Sequence, residues 1–153
     1  MTKVLITGGG GFIGQKLAKR LATDGTVRGQ KITGMTLIDL AEPTAPEAPF
    51  PVRTLAADIS DTSAVAQAYQ GGQDVIFHLA AVVSGAAEAD FDLGMRVNLD
   101  GTLNIFQAAR DQGNCPVVVY SSSCAVHGGE APDPVTDGVE LNPQTSYGTQ
   151  KAI

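Results

Sequence analysis

Tyr147 and Lys151 stand four residues apart in Tyr147-Gly148-Thr149-Gln150-Lys151, a spacing that puts a phenol and an ammonium on one helix face. A free tyrosine ionises near pH ~10. A neighbouring cation favours the phenolate and brings Tyr147 toward use as a general base. Ser123 closes the run Ser121-Ser122-Ser123 after an apolar stretch. Its hydroxyl could hold a substrate oxygen and stabilise the charge that develops there. A tyrosine and a lysine at this spacing also occur on ordinary surface helices, so the trio takes its meaning from the elements that position it.

The first such element is Thr7-Gly8-Gly9-Gly10-Gly11-Phe12-Ile13-Gly14. It follows the apolar run Lys3-Val4-Leu5-Ile6, which reads as a buried strand. It precedes Phe12, Ile13, Leu17, Ala18 and Leu21, spaced as the apolar stripe of a helix. Strand, glycine turn and helix in succession form the context of a dinucleotide site. Gly8 permits the tight turn, Gly11 lets backbone approach a pyrophosphate, and Gly14 lets the helix sit close on the strand. The helix N-terminus adds free N–H groups and a positive dipole end. A flexible glycine loop is the competing reading of the run taken alone.

The second strand is expected at Met35-Thr36-Leu37-Ile38-Asp39, after a polar, glycine-punctuated loop from Asp24-Gly25 to Gly34. Asp39 closes it, where an acidic side chain can accept hydrogen bonds from an adenosine ribose. Such a carboxylate would repel a 2′-phosphate, which favours NAD over NADP. A solvated strand-end aspartate is the plainer alternative. Glu42 to Pro51 carries four prolines and reads as a stiff surface connection. Val52 to Ala57 is expected as the third strand, Asp58-Ile59 as the turn leaving it, and Ser60 or Asp61 as the cap of a short helix through Val65, Ala68 and Tyr69. Gly71-Gly72 ends that helix, and Asp74 to Ala81 is a continuous apolar strand suited to the centre of a parallel sheet.

Val82-Val83-Ser84-Gly85 is expected as a loop, and Phe91, Met95, Leu99, Leu103 and Phe106 as one face of a long helix to about Asp111. Pro116 to Tyr120 is the fifth strand, the stretch to Pro143 a loop, and Ser146-Tyr147 the start of a further helix. Alternating strands and helices imply right-handed crossovers. The expected fold is α/β: a Rossmann-like, doubly wound parallel sheet of order 3-2-1-4-5 between two helix layers, with 1–153 as one dinucleotide-binding domain. Ligands then lie at the carboxyl ends of the strands.

A net charge of −6 argues against nucleic acid, whose binding needs clustered cations. Hydrophobic content of 43% with only 17% charged residues fits a globular chain and not a disordered one. No apolar run is long enough to span a membrane. The first strand is expected at the N-terminus, leaving no room for a signal peptide, and Cys115 and Cys124 have no metal-ligand spacing and no CxxC pattern. Partly buried free thiols and a cytoplasmic location are expected, and no metal site.

Thr7-Gly8-x-x-Gly11-x-x-Gly14, Asp58-Ile59, His78-Leu79-Ala80-Ala81, Asn98, Ser121-Ser122-Ser123 and Tyr147-x-x-x-Lys151 together resemble the extended short-chain dehydrogenase/reductase superfamily, which includes the nucleotide-sugar epimerases and dehydratases. Within it, 78–92, Pro132 to Asp137 and Pro143 to Tyr147 are similar to a branch of oxidoreductases that use NAD to oxidise the C2 hydroxyl of a four-carbon sugar acid, D-erythronate, to the 2-oxo acid. The resemblance implies Tyr147 as the base, with the positive nicotinamide ring also favouring its phenolate. Lys151 becomes its partner and a ribose ligand, Ser123 the substrate-orienting hydroxyl, and Asn98 the residue that holds the long helix and a water relay. It implies cofactor contacts at Gly8, Gly11, Phe12, Ile13, Gly14, Asp39, Asp58, Ile59, Leu79, Ala80, Ala81, Ser84, Tyr147 and Lys151. It also implies a possible homodimer.

Two other readings compete. A nucleotide-sugar epimerase or dehydratase would use the same trio with tightly held NAD, although His127 stands where many epimerases have a tyrosine before glycine. A non-catalytic dinucleotide-binding module would have no chemical need for Ser123, Tyr147 and Lys151. His78 reads as a satisfied core histidine, and His127 either as a loop residue or as a substrate contact. The superfamily continues well past the Tyr-Lys helix, whereas only Ala152 and Ile153 follow here. The expectation is a fragment, with Tyr147 and Lys151 poorly fixed, weak NAD binding and little turnover.

Overall fold

The apolar run near the start of the chain forms β1 (Thr2–Thr7), in which Val4, Leu5 and Ile6 are fully buried. Burial on both faces suits the central strand of a parallel sheet, whose crossover helices cover both sides. β1 pairs in parallel with β3 (Gln30–Asp39) on one side and β5 (Val75–His78) on the other. β4 (Val52–Ala56) extends the sheet beyond β3, and β6 (Val117–Tyr120) extends it beyond β5. The five parallel strands follow the order β4-β3-β1-β5-β6, which is the expected 3-2-1-4-5.

The structure is a computed structural model that describes residues 1–153. Its contacts fall into two compact units. The larger is Met1–Ala80 with Gly101–Ser121, and the smaller is Ala81–Asp100 with Ser122–Ile153. Each unit is assembled from stretches far apart in the chain.

In the larger unit, α1 (Phe12–Asp24) lays Ala18 and Leu21 on Val4, Ile6, Ile32, Met35, Leu37 and Val75. Strand side chains alternate between faces, so Leu5, Ile38 and Ile76, also fully buried, line the opposite side. There α2 (Thr62–Ala68) and α5 (Gly101–Gln112) bury Val65, Ala68 and Ile105 and pack on each other, giving the helix–sheet–helix layering. Asp61, not Ser60, caps α2, accepting from the N–H groups of Ser63 and Ala64.

Four expectations are corrected. The stretch 24–34 is not all loop: β2 (Thr26–Val27) pairs antiparallel with the start of β3, so that strand begins at Gln30. Arg28 and Gly29 both take positive φ, 53° and 72°, the geometry of a two-residue hairpin turn. The stretch after Val83 is helical, α3 (Ser84–Ala89), because Ala86, Ala87, Glu88 and Ala89 are strong helix formers. The fourth expected strand ends at His78 and not at Ala81. The thiols of Cys115 and Cys124 are free but exposed, not partly buried.

The long helix forms as α4 (Phe91–Gly94), a π-helical segment (Met95–Asp100) and α5, but its expected apolar face is turned outward. Phe91, Leu103 and Phe106 are 57%, 54% and 44% exposed, while Gly94, Asn98, Gly101 and Ile105 are buried. Small residues win the inner face because the backbone must come close: a Cβ on Gly101 would stand 2.8 Å from Ile59 Cδ1.

Ile105→Ala is expected to cost about 2–5 kcal/mol, whereas Leu103→Ala stays within about 0.5 kcal/mol. Urea denaturation of the two variants reads the difference, and equal losses would show Leu103 to be packed as closely as Ile105.

Candidate active site

The glycine turn leaves β1 through Gly8, whose φ of 71° sits in the left-handed region. A Cβ at Gly8 would stand 2.8 Å from the Ala80 nitrogen and 2.9 Å from the Leu79 carbonyl carbon. A Cβ at Gly14 would run into the Gly8 carbonyl oxygen. The turn therefore closes only without side chains, which is why glycine stands at both positions. Gly11 is the N-cap of α1 and offers no side-chain acceptor, so the first amides of the helix stay open to an anion. Phe12 and Ile13 point outward at 73% and 59% exposure.

Asp39 ends β3 beside this turn. Its Oδ2 accepts from the Gly10 N–H at 3.0 Å and its Oδ1 from the Leu40 N–H at 2.8 Å. With Gly10, Gly11, Gln15, Glu42 and Thr44 it lines a cavity of about 420 Å³. The Leu79 N–H donates to the Thr7 carbonyl at 3.2 Å, and the Ala80 N–H to Thr7 Oγ1 at 3.1 Å. Gly8, Gly11, Gly14, Asp39, Leu79 and Ala80 thus gather at the carboxyl ends of adjacent strands. Asp58 folds back on Ser60, and Ile59 is buried with its side chain against Gly101. The Ile59 side chain is committed to packing, so only its backbone could serve a ligand.

The smaller unit holds Ser123, Tyr147 and Lys151. α6 (Ser146–Ala152) carries Tyr147 and Lys151. At seven residues it is too short to stand alone. Its own N-cap and side chains from elsewhere hydrogen-bond to both ends. Thr145 Oγ1 accepts from the Gly148 N–H at 3.0 Å. The Glu88 carboxylate accepts from the Tyr147 N–H at 2.7 Å and from the Ser146 hydroxyl at 2.8 Å. The Ser122 hydroxyl donates to the Lys151 carbonyl at 3.0 Å. Lys151 is only 5% exposed, and burial lowers its ammonium below the ordinary lysine range.

Ser123 caps the 3₁₀ turn Cys124–Val126, its Oγ accepting from the Ala125 N–H at 3.2 Å, which leaves its O–H as a donor. That turn lies on α6 at Gly148, where a Cβ would strike the Ala125 carbonyl oxygen. Ser123 and Tyr147 therefore belong to elements in direct contact. Ser84 opens α3 and is exposed, and Ala81 is half-buried.

Asn98, at 2% exposure, takes its place in the π segment. Its Oδ1 accepts from the Val82 N–H at 2.8 Å, and its Nδ2 donates to the Val82 carbonyl at 3.0 Å and to Gln150 Oε1 at 2.8 Å. These bonds tie the 82 turn and α6 to Asn98. Gln150, between Tyr147 and Lys151, is 2% exposed and seated on Gly94.

The two histidines separate cleanly. His78 is fully buried and bonded to Thr7 Oγ1 at 2.6 Å and Thr102 Oγ1 at 2.9 Å, a core residue as expected. His127 carries a buried Nδ1 without a partner. Glu88, Gln150 and Gln15 escape a motif reading. The partners of Glu88 lie 58 and 59 positions away, and nothing local in sequence marks it.

A phosphate cradle on a doubly wound sheet, with serine, tyrosine and lysine on the elements after the fifth strand, defines a dinucleotide-dependent class of enzyme fold. The chain belongs to the NAD dependent epimerase/dehydratase family, whose model matches residues 4–153. It is 48% identical to a D-erythronate dehydrogenase of Cupriavidus necator, over 98% of this chain and 47% of that protein. It is 40% identical to the D-erythronate dehydrogenase of Haemophilus influenzae, over 99% of this chain and again 47% of the relative. The crystal structure of a nucleoside-diphosphate-sugar epimerase from Agrobacterium tumefaciens superposes with a TM-score of 0.91 at 44% identity, over 99% of this chain and 46% of that one. The chain thus spans about half the length of the relatives it matches. No helix is long and apolar enough to cross a membrane.

Hydrogen bonds from Tyr147 and Ser146 hold the Glu88 carboxyl below its ordinary value of 4.5. A carboxylate lowered on folding stabilises the fold above its unfolded value, and that contribution disappears as pH falls through the folded value. The melting-temperature gap between the protein and Glu88→Ala should be full at pH ~7 and shrink below pH ~4.5. A gap that stays constant from neutral to acid pH would show that the carboxylate does not hold α6.

Proposed function

We propose that the protein is an NAD-dependent dehydrogenase that oxidises the C2 hydroxyl of a small sugar acid, with D-erythronate as the first candidate. The observation that carries the reading is the 48% identity to a D-erythronate dehydrogenase across nearly the whole chain, with the serine, tyrosine and lysine of the proposed chemistry all in one unit. The open first-turn amides of α1 and the side-chain-free turn at Gly8, Gly11 and Gly14 fit a pyrophosphate, and Asp39 fits an unphosphorylated adenosine ribose. NAD, when bound, supplies the hydride acceptor.

The chain's own residues do the rest. The Ser123 O–H donates to the substrate hydroxyl oxygen and orients it. Tyr147, as phenolate, takes the hydroxyl proton. Lys151, an ammonium beside that phenol on α6, stabilises the phenolate and holds the cofactor ribose. Asn98 keeps α6 in place through Gln150. Tyr147 gains the proton as C2 gives up hydride, so charge and electrons balance.

A nucleotide-sugar epimerase is the second reading, the activity named for the Agrobacterium structure that is 44% identical. It differs in outcome, because an epimerase regenerates its NAD whereas a dehydrogenase releases NADH. The test is NADH formation from NAD and D-erythronate. Tyr147→Phe should lower the rate by roughly 10²–10⁴-fold. No NADH, together with NAD that copurifies and epimerisation of a nucleotide sugar, would replace the dehydrogenase reading. NADH formation undiminished in Tyr147→Phe would remove the base.

A further inference from the structure

Gln15 comes directly after the last glycine of the turn, one position outside the motif. Its carboxamide nitrogen donates to the Gly9 carbonyl at 2.7 Å and to the Thr44 carbonyl at 3.1 Å. Both partners are carbonyl oxygens, so only the NH₂ end can face them, and each of its two hydrogens has an acceptor. Gly9 belongs to the phosphate turn. Thr44 belongs to the proline-rich segment after β3, whose residues Ala41, Glu42, Pro43 and Thr44 wall the cavity of about 420 Å³ that holds Asp39.

The two sides of that cavity are secured differently. Asp39 ends a strand in the sheet, and two backbone amides grip its carboxylate. The 41–44 side has no helix or strand of its own. Side-chain bonds hold it: Glu42 Oε1 accepts from Thr54 Oγ1 at 2.7 Å, and Gln15 reaches Thr44. Of these two ties, only Gln15 connects the wall to the phosphate turn itself.

We propose that Gln15 is a positioning residue for the adenosine half of NAD, clasping the 41–44 wall to the glycine turn and so setting the width of the pocket beside Asp39. The proposal rests on the NAD-binding reading of this site. Without the clasp the wall has to be ordered by the ligand, and that ordering entropy is subtracted from affinity. The effect belongs to the adenosine end, because the wall lines the cavity that holds Asp39.

Calorimetric titration of the protein with NAD and with AMP tests this, alongside melting temperature and amide exchange of residues 40–47. Gln15→Leu should weaken NAD and AMP by the same factor, about three- to tenfold, at unchanged melting temperature, and speed exchange in 40–47. Gln15→Lys, which keeps a donor of similar reach, should stay within about twofold of the unsubstituted protein. Unchanged affinity, or a loss for NAD that AMP does not share, would overturn the clasp. If the unsubstituted protein binds neither ligand, the cofactor reading itself falls. The clasp then stands or falls on exchange alone, and unchanged exchange in Gln15→Leu overturns it.

Discussion

Everything on the cofactor side depends on one backbone contact, the approach of Gly8 to Leu79 and Ala80 at the carboxyl ends of β1 and β5. A Cβ there would lie under 3.0 Å from main-chain atoms that cannot step aside. Thr7 fastens the two strands at the same level, its hydroxyl meeting His78 Nδ1 at 2.6 Å and accepting from the Ala80 N–H at 3.1 Å. Strand ends locked in this way set the direction in which the chain turns. α1 then starts with its open amides beside the turn, and Gly10 is brought to the Asp39 carboxylate. Remove the contact and the helix, the carboxylate and the cavity lose their common reference.

The smaller unit solves a different problem, that of fixing a helix too short to fix itself. Seven residues supply few internal hydrogen bonds against a costly nucleus. α6 is held at its first turn by Thr145 and Glu88, along its side by Gly148 against Ala125, and at its last turn by Ser122. Asn98 and Gln150 add an amide-to-amide bond in a buried place, where an unpaired partner would cost about 1–3 kcal/mol. The π segment is in keeping with this, since π turns inside α-helices mark functional sites more often than chance. Glu88 contributes a charge at the helix start, where the dipole favours it.

The topology was legible because it rests on periodicity and punctuation. Buried runs such as Val4-Leu5-Ile6 and Val75-Ile76 announce central parallel strands, and glycines with fixed backbone duties announce the turn. Legibility stopped where tertiary context overrides pattern. Phe91, Leu103 and Phe106 form a tidy apolar face yet lie outward, since Gly94, Asn98 and Gly101 allow a closer inner approach than aromatic rings could. The hairpin at Arg28-Gly29 was hidden because arginine rarely takes positive φ. Motif residues could be assigned to the site, but Glu88 could not, for its partners lie in another part of the chain. Ser123, Tyr147 and Lys151 were visible as types; what holds them was not.

The trio suits more than one chemistry. A serine that orients, a phenolate that takes a proton and an ammonium that supports it serve a dehydrogenase and an epimerase equally. The two chemistries part only when the reduced cofactor either leaves or stays to return its hydride. That choice is a matter of cofactor residence, and residence is set by grip on the adenosine and pyrophosphate, not by the base. The grip here combines a rigid cradle, closed by backbone contact at Gly8 and Gly14, with a wall at 41–44 that has no secondary structure of its own. The distinction between net oxidation and epimerisation is therefore to be sought in the residues around Asp39 as much as in those around Tyr147.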